Sequence, residues 1–202
     1  MAVLFFAFID MVIIKKEQQA MLYIMRHGMT KWNEMKKLQG RTDIPLNENG
    51  RQMAREVQQE CAKIGFDICY TSPLLRAKET AQIAFEGLDV PIIEDKRLEE
   101  MCFGVYEGCT NYFEGKGEPI NVLFQKPAEY KAVEGGESLE QLYDRTGDFL
   151  KNVIEPELEA GKKVLIVGHG AMNCSIISQI RNIPVEKFWE VGIPNCKLIK
   201  LV

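Results

Sequence analysis

A chain of 202 residues with 46% apolar side chains is long enough for one domain with a real hydrophobic core. Its 25 Lys and Arg against 29 Asp and Glu leave a net charge of −4, with no basic excess to suggest a nucleic-acid partner. The cysteines Cys61, Cys69, Cys102, Cys109, Cys174 and Cys196 are scattered without a Cys-x-x-Cys pair, and two histidines offer no zinc-ligand spacing, so the thiols read as reduced and cytoplasmic and no metal site is expected.

Val3 to Ile14 is apolar apart from Asp10, and Lys15-Lys16-Glu17-Gln18-Gln19 follows. The run is shorter than the about 20 apolar residues of a membrane span, and no basic region precedes it as in a secretory signal. Residues 1–20 are therefore read as an N-terminal extension without a catalytic role. An extra packed helix or strand, a weak membrane anchor and a segment upstream of the fold all remain open, with Met21 standing where the domain 21–202 begins.

Alternating strand-like and helix-like segments then argue for an α/β fold with a mostly parallel sheet. A strand is expected over 21–25. A helix is expected over 48–64, capped by Asn47 and stopped by Gly65. A short strand follows at 67–70, then a helix opened by Ser72 as N-cap with Pro73 at its first position. Residues 91–93 suggest another short strand. Gly115, Gly117, Pro119 and Pro127 make 109–136 read as an irregular lid or specificity insert. A long helix is expected from Ser138 to about 154, kinked or ended by Pro156. A strand at 163–167, a helix at 171–181 and an edge strand at 197–202, open to an antiparallel pairing, complete the chain.

The two histidines each follow an apolar run, in Arg26-His27-Gly28 and Gly168-His169-Gly170. Ligands of α/β sheets bind outside the carboxyl ends of strands, so the two imidazoles can share one site. A neutral imidazole is a competent nucleophile toward phosphorus. A neighbouring guanidinium can hold phosphoryl oxygens in a fork, and Gly28 permits close backbone approach.

The wider pattern comprises Arg26-His27-Gly28-Met29-Thr30-Lys31-Trp32-Asn33, Leu38-Gln39-Gly40-Arg41-Thr42-Asp43, Ser72-Pro73-Leu74-Leu75-Arg76-Ala77, Leu98-Glu99-Glu100 through Glu107-Gly108, Gly135-Gly136-Glu137-Ser138 and Val167-Gly168-His169-Gly170. In order and spacing it resembles the histidine phosphatase superfamily, in the branch that includes cofactor-dependent phosphoglycerate mutases, from Met21 to Val202. The resemblance implies a three-layer α/β/α sandwich around the sheet, with a lid insert. It implies that His27 is the nucleophile that becomes a phosphohistidine and that Arg26 and Arg76 clamp the phosphoryl group. His169 matches a second phosphoryl-oxygen donor. Glu100, rather than its neighbour Glu99, matches the proton donor. Thr30, Asn33, Gln39 and Gly40 match substrate-contact positions, and Gly170 joins them beside His169. No metal and no cofactor are implied. Met29 departs from the acidic residue that the family often carries there.

Plainer readings stand beside these. Arg76 could pair with Glu79 and Glu86, and Asn33 and Gln39 could bond their own loop. Glu107 could anchor a loop through backbone N–H groups, and Trp32 could simply pack. A mutase needs extra cations for a second phosphate, and 109–134 holds Lys116, Lys126 and Lys131 but no Arg, with Tyr112, Phe113, Phe124 and Tyr130 instead. The expectation is a metal-independent phosphomonoesterase acting on a small phosphorylated metabolite. A cofactor-dependent phosphoglycerate mutase is the alternative. A non-catalytic phosphate-binding interaction module is a third reading, against which the intact set of Arg26, His27, Arg76, Glu100 and His169 speaks.

Overall fold

The computed structural model of the protein describes residues 20–110, 112, 115 and 117–202. The expectations for residues 1–19, and those for Phe113 and Lys116, lie outside the described residues. Five strands form one sheet: β1 (Met21–Arg26), β2 (Ile68–Thr71), β3 (Ile92–Glu94), β4 (Lys163–Gly168) and β5 (Ile199–Lys200). Their order is β3-β2-β4-β1-β5, and all neighbours are parallel except β5, which runs antiparallel to β1 at the edge.

The apolar runs of the inner strands are covered on both faces, as parallel strands require. Successive side chains alternate between two cores. Leu22, Ile24, Ile68, Tyr70, Val164 and Ile166 join one, and Met25, Cys69, Leu165 and Val167 join the other. Each such side chain, fully buried, contributes about 1.5–3 kcal/mol. The helices Leu139–Phe149 and Gly170–Arg181 close the first core, and Glu48–Ile64 and Leu75–Ala84 close the second. The architecture is a three-layer α/β/α sandwich.

Helix Glu48–Ile64 starts where the Asn47 side chain accepts the Gly50 N–H at 2.8 Å and stops at Gly65, whose φ of 67° is left-handed. The expected Ser72 cap is not found. Ser72 Oγ accepts the N–H of Leu74, and the helix begins at Leu75, whose N–H goes to Asp43 Oδ1 at 2.8 Å. A side chain 32 residues away supplies the first-turn acceptor, which no local rule could reveal.

The reading of 109–136 as irregular is also corrected. It holds a helix, Pro119–Gln125, and a 3-10 turn, Pro127–Glu129. Both prolines stand at first helical positions, where the missing N–H is no loss, so residues read as breakers are starts. The helix begun at Ser138 keeps an α-helical pitch to Phe149, widens to a π turn over Leu150–Ile154 and resumes over Glu155–Glu159. Pro156 has no N–H to return to the preceding turn, which accounts for the wider pitch there. The last strand is two residues long rather than six.

Among the described residues no helix is long and apolar enough to cross a membrane. All six cysteines are free. Burial pushes the thiols of Cys61, Cys174 and Cys196 up to about 12, so they behave as packing residues at neutral pH.

Candidate active site

The register of β1 on β4 builds the site. Arg26 lies opposite Gly168, so the next residue on each strand is a histidine. The His27 N–H donates to the Gly168 carbonyl at 2.9 Å, and the two imidazole centroids are 5.2 Å apart. The Asn195 side-chain amide donates to the His27 carbonyl at 2.6 Å and fixes the strand end from the other side.

His27 Nδ1 is 2.7 Å from the Gly28 carbonyl oxygen. A carbonyl only accepts, so Nδ1 carries the proton and the Nε2 lone pair is free. Gly28 is held in turn by its N–H to Thr80 Oγ1 at 3.0 Å, and Thr80 donates to the Arg76 carbonyl at 2.6 Å. A Cβ on Gly28 would sit 2.5 Å from the Gly50 carbonyl oxygen, so a glycine is required for this approach.

Arg76 is fully buried. It donates from Nη1 to Thr42 O at 3.0 Å and from Nη2 to Gly40 O at 2.7 Å, and its Nε has no partner. Glu79 pairs instead with Arg51 at 2.6 Å, so the plain ion-pair reading of Arg76 with Glu79 does not hold. Burial pushes the Arg76 guanidinium down to about 10, against the pull of Glu100 and Asp43, and it stays charged at neutral pH. Arg26 reaches Ile193 O only at 3.5 Å, and its Nε also lacks a partner.

His169 is buried with neither ring nitrogen bonded. Glu100 lies at the N-terminus of helix Gly170–Arg181, where its carboxylate accepts the N–H groups of Met172 at 3.0 Å and Ala171 at 3.2 Å, and that of Met101 at 2.9 Å. The helix end and these donors fix the carboxylate at the cavity wall, near Gly170.

Of the residues singled out from the sequence, Arg26, His27, Asn33, Gln39, Gly40, Arg76, Glu100 and Gly170 line one cavity of about 240 Å³. Thr30 and His169 are not among its lining residues. Thr30 accepts the Asn33 N–H at 3.1 Å, caps the short helix Lys31–Glu34 and donates to Gln39 Oε1 at 3.0 Å. It holds two lining residues in place.

Glu107 holds the loop that carries Gly40. It accepts the N–H of Arg41 at 2.9 Å and of Thr42 at 2.8 Å, and that of Phe103 at 3.2 Å. Gly40 has φ of 58°, and any side chain there would overlap Glu107. Sequence reasoning missed a second brace. The buried Glu137 carboxylate pairs with Arg145 at 2.7 Å and with Arg41 at 3.3 Å, while Arg41 Nε donates to the Glu100 carbonyl at 3.3 Å. It also missed Lys37, Leu38, Phe103, Cys174, Trp189 and Ile193, which line the same cavity. For all but Lys37 the only sequence signal was apolar or aromatic character shared with core positions, and Lys37 reads as one more loop lysine.

Burial, reinforced by the charges of Arg76 and Arg26, holds the His27 imidazole well below its ordinary value near 6.5, against the Gly28 hydrogen bond. Burial, Arg76 and His27 do the same to His169. Both rings are therefore neutral at neutral pH. Below about pH 6.5 the unfolded chain binds more protons than the folded one, so stability is complete above that pH and falls on acidification. The slope is up to about 1.4 kcal/mol per pH unit for each imidazole. Urea unfolding at pH 5.5 and 7.5 checks this, and equal midpoints would show that the rings titrate normally.

The parallel sheet with histidines paired at two strand ends defines a phosphoglycerate mutase-like α/β fold. Residues 22–202 match the family model described as histidine phosphatase superfamily (branch 1). The 2,3-bisphosphoglycerate-dependent phosphoglycerate mutase 2 of Gloeobacter violaceus is 34% identical over 182 residues, which are 88% of this chain and 83% of that one. A Bacillus subtilis protein named uncharacterized phosphatase PhoE is 39% identical over 157 residues, covering 78% and 75% of the two chains. The phosphoserine phosphatase of Entamoeba histolytica, solved with phosphoserine, superposes with a TM-score of 0.77 at 28% identity, covering 90% of this chain and 89% of that one. The chain belongs to the histidine phosphatase superfamily.

Proposed function

We propose that the protein is a phosphomonoesterase that acts on a small phosphorylated metabolite through a phosphohistidine on His27. One observation carries this reading. The Nε atoms of Arg26 and Arg76 and both ring nitrogens of His169 are buried without partners, beside an imidazole whose Nε2 lone pair is free. Buried polar groups are normally satisfied, and a phosphoryl dianion supplies oxygens for the two guanidinium Nε–H groups and for the single N–H of the neutral His169 ring.

In the first half-reaction Nε2 attacks phosphorus, the N–P bond forms and the ester P–O bond breaks. Glu100 gives its proton to the departing oxygen. In the second, water attacks phosphorus and yields its proton to Glu100, the P–N bond breaks, and orthophosphate leaves with His27 regenerated. The two guanidinium groups and His169 offset the charge spread over the equatorial oxygens. Among the described residues no three His, Cys, Asp or Glu side chains gather as a metal-ligand set. The metal-independent reading rests instead on the guanidinium pair, whose charge can take a cation's place at the phosphoryl oxygens.

Hydrolysis is favoured over mutase chemistry by the rest of the lining. Beyond Arg26 and Arg76 its one further cation among the described residues is Lys37, whose Nζ sits 5.4 Å over the Trp32 ring. The mutase name of the Gloeobacter relative keeps the second reading in view. Phosphate release from a panel of phosphomonoesters in EDTA, with 3-phosphoglycerate included, tests the proposal. Faster conversion of 3- to 2-phosphoglycerate in the presence of the bisphosphate would replace it with the mutase reading.

Glu100→Gln tests the proton donor. Loss on alkyl phosphates should reach about 10²–10³-fold, because the alkoxide needs its proton, while aryl phosphates with good leaving groups should lose less than about tenfold. Comparable losses on both would remove Glu100 from the acid role.

A further inference from the structure

The cavity that holds the charged groups also carries an aromatic wall. Phe103, Tyr112, Phe124 and Trp189 all line it. They form one contiguous cluster around Phe124, which stacks on Trp189 at 4.9 Å and meets Tyr112 at 4.8 Å and Phe103 at 6.4 Å. Trp189 Nε1 already donates to the Leu123 carbonyl at 2.7 Å, so the indole turns no donor toward a ligand. Three of the four rings are only partly buried. Against the rings of Phe103, Phe124 and Trp189 a polyol or a second phosphate would give up water without gaining hydrogen bonds. An apolar group would remove its own surface and that of the rings from water.

Resting on the hydrolase reading above, we infer that the alcohol leaving this site is apolar, and that the cluster of Phe124, Trp189 and Tyr112 selects it. The class is a phosphomonoester of an arylalkyl or short branched alcohol, without a second phosphate. Size agrees: a protein cavity of about 150 Å³ takes up benzene, so about 240 Å³ accommodates a phosphoryl group with a body of that order.

The test separates binding from chemistry. Calorimetric titration with 2-phenylethylphosphonate and methylphosphonate, which cannot be hydrolysed, reads the wall directly. The phenylethyl compound should bind about 30-fold tighter, from burial of one ring. In parallel, 2-phenylethyl phosphate, glycerol 3-phosphate and 3-phosphoglycerate are compared as substrates, because all three release alkyl alcohols. The same preference should appear in kcat/KM. Trp189→Ala should lower it about tenfold through KM, and Trp189→Phe, which keeps a ring and protects against a folding artefact, should retain most of it. Equal affinities for the two phosphonates would overturn the inference whether or not any ester turns over. Tight, ring-dependent phosphonate binding without phosphate release from any ester would support the wall and defeat the hydrolase reading instead.

Discussion

His27→Ala is expected to abolish phosphoenzyme formation and to lower phosphate release by at least about 10⁴-fold. Nothing else near His27 is placed to take over the attack: the Cys174 thiol that lines the cavity is pushed up to about 12 by burial and stays protonated. His169 is the other imidazole, but neither of its nitrogens has a hydrogen bond to set its tautomer. Glu100 is committed to three backbone N–H groups. The variant should fold, because the strand end is fixed by main-chain bonds to Gly168 and by Asn195, which the substitution leaves intact. Intact-protein mass spectrometry on an alkaline quench reads the covalent phosphate. Labelling that persists in the variant would put the nucleophile elsewhere.

Arg76→Lys is expected to lower kcat/KM by about 10²–10³-fold although the charge is kept. Each Nη gives one N–H to the Thr42 or Gly40 carbonyl, which fixes the plane of the guanidinium, and Nε, buried without a partner, is left for an oxyanion together with the remaining Nη–H bonds. An ammonium on a flexible stem cannot hold both carbonyls and present a further donor at the same point. The loop at Gly40 would also lose a buried hydrogen bond, so stability should fall by about 1–3 kcal/mol. Steady-state kinetics with urea unfolding separates the two effects. Activity within tenfold of the parent would mean that Arg76 is a structural strut and not part of a clamp.

The strand-end histidines were legible because position alone determines where such residues go in a parallel sheet. The cap at Asn47 was legible because its partner is local, and the helix start at Ser138 was read from the same local pattern. The cap reading failed at Ser72, because the acceptor for that helix comes from Asp43 across a loop. Prolines in the insert were read as interruptions because a sequence does not say whether a missing N–H falls inside a helix or at its first turn. The brace from Glu137 through Arg41 to Glu100 joins three segments that only the folded sheet brings together. Trp189 and Phe103 were invisible as wall residues for a different reason: an aromatic ring that lines a cavity and one that fills a core have the same pattern along the chain.

The proton on Nδ1 of His27 is held by a peptide carbonyl and not by an ionisable side chain. A nucleophile oriented by a carboxylate would depend on that carboxylate surviving mutation and staying ionised. Here the orientation is a property of the turn itself. Drift in the surrounding side chains can remodel what the cavity accepts without disarming the attacking nitrogen, so specificity in this protein is free to change faster than reactivity.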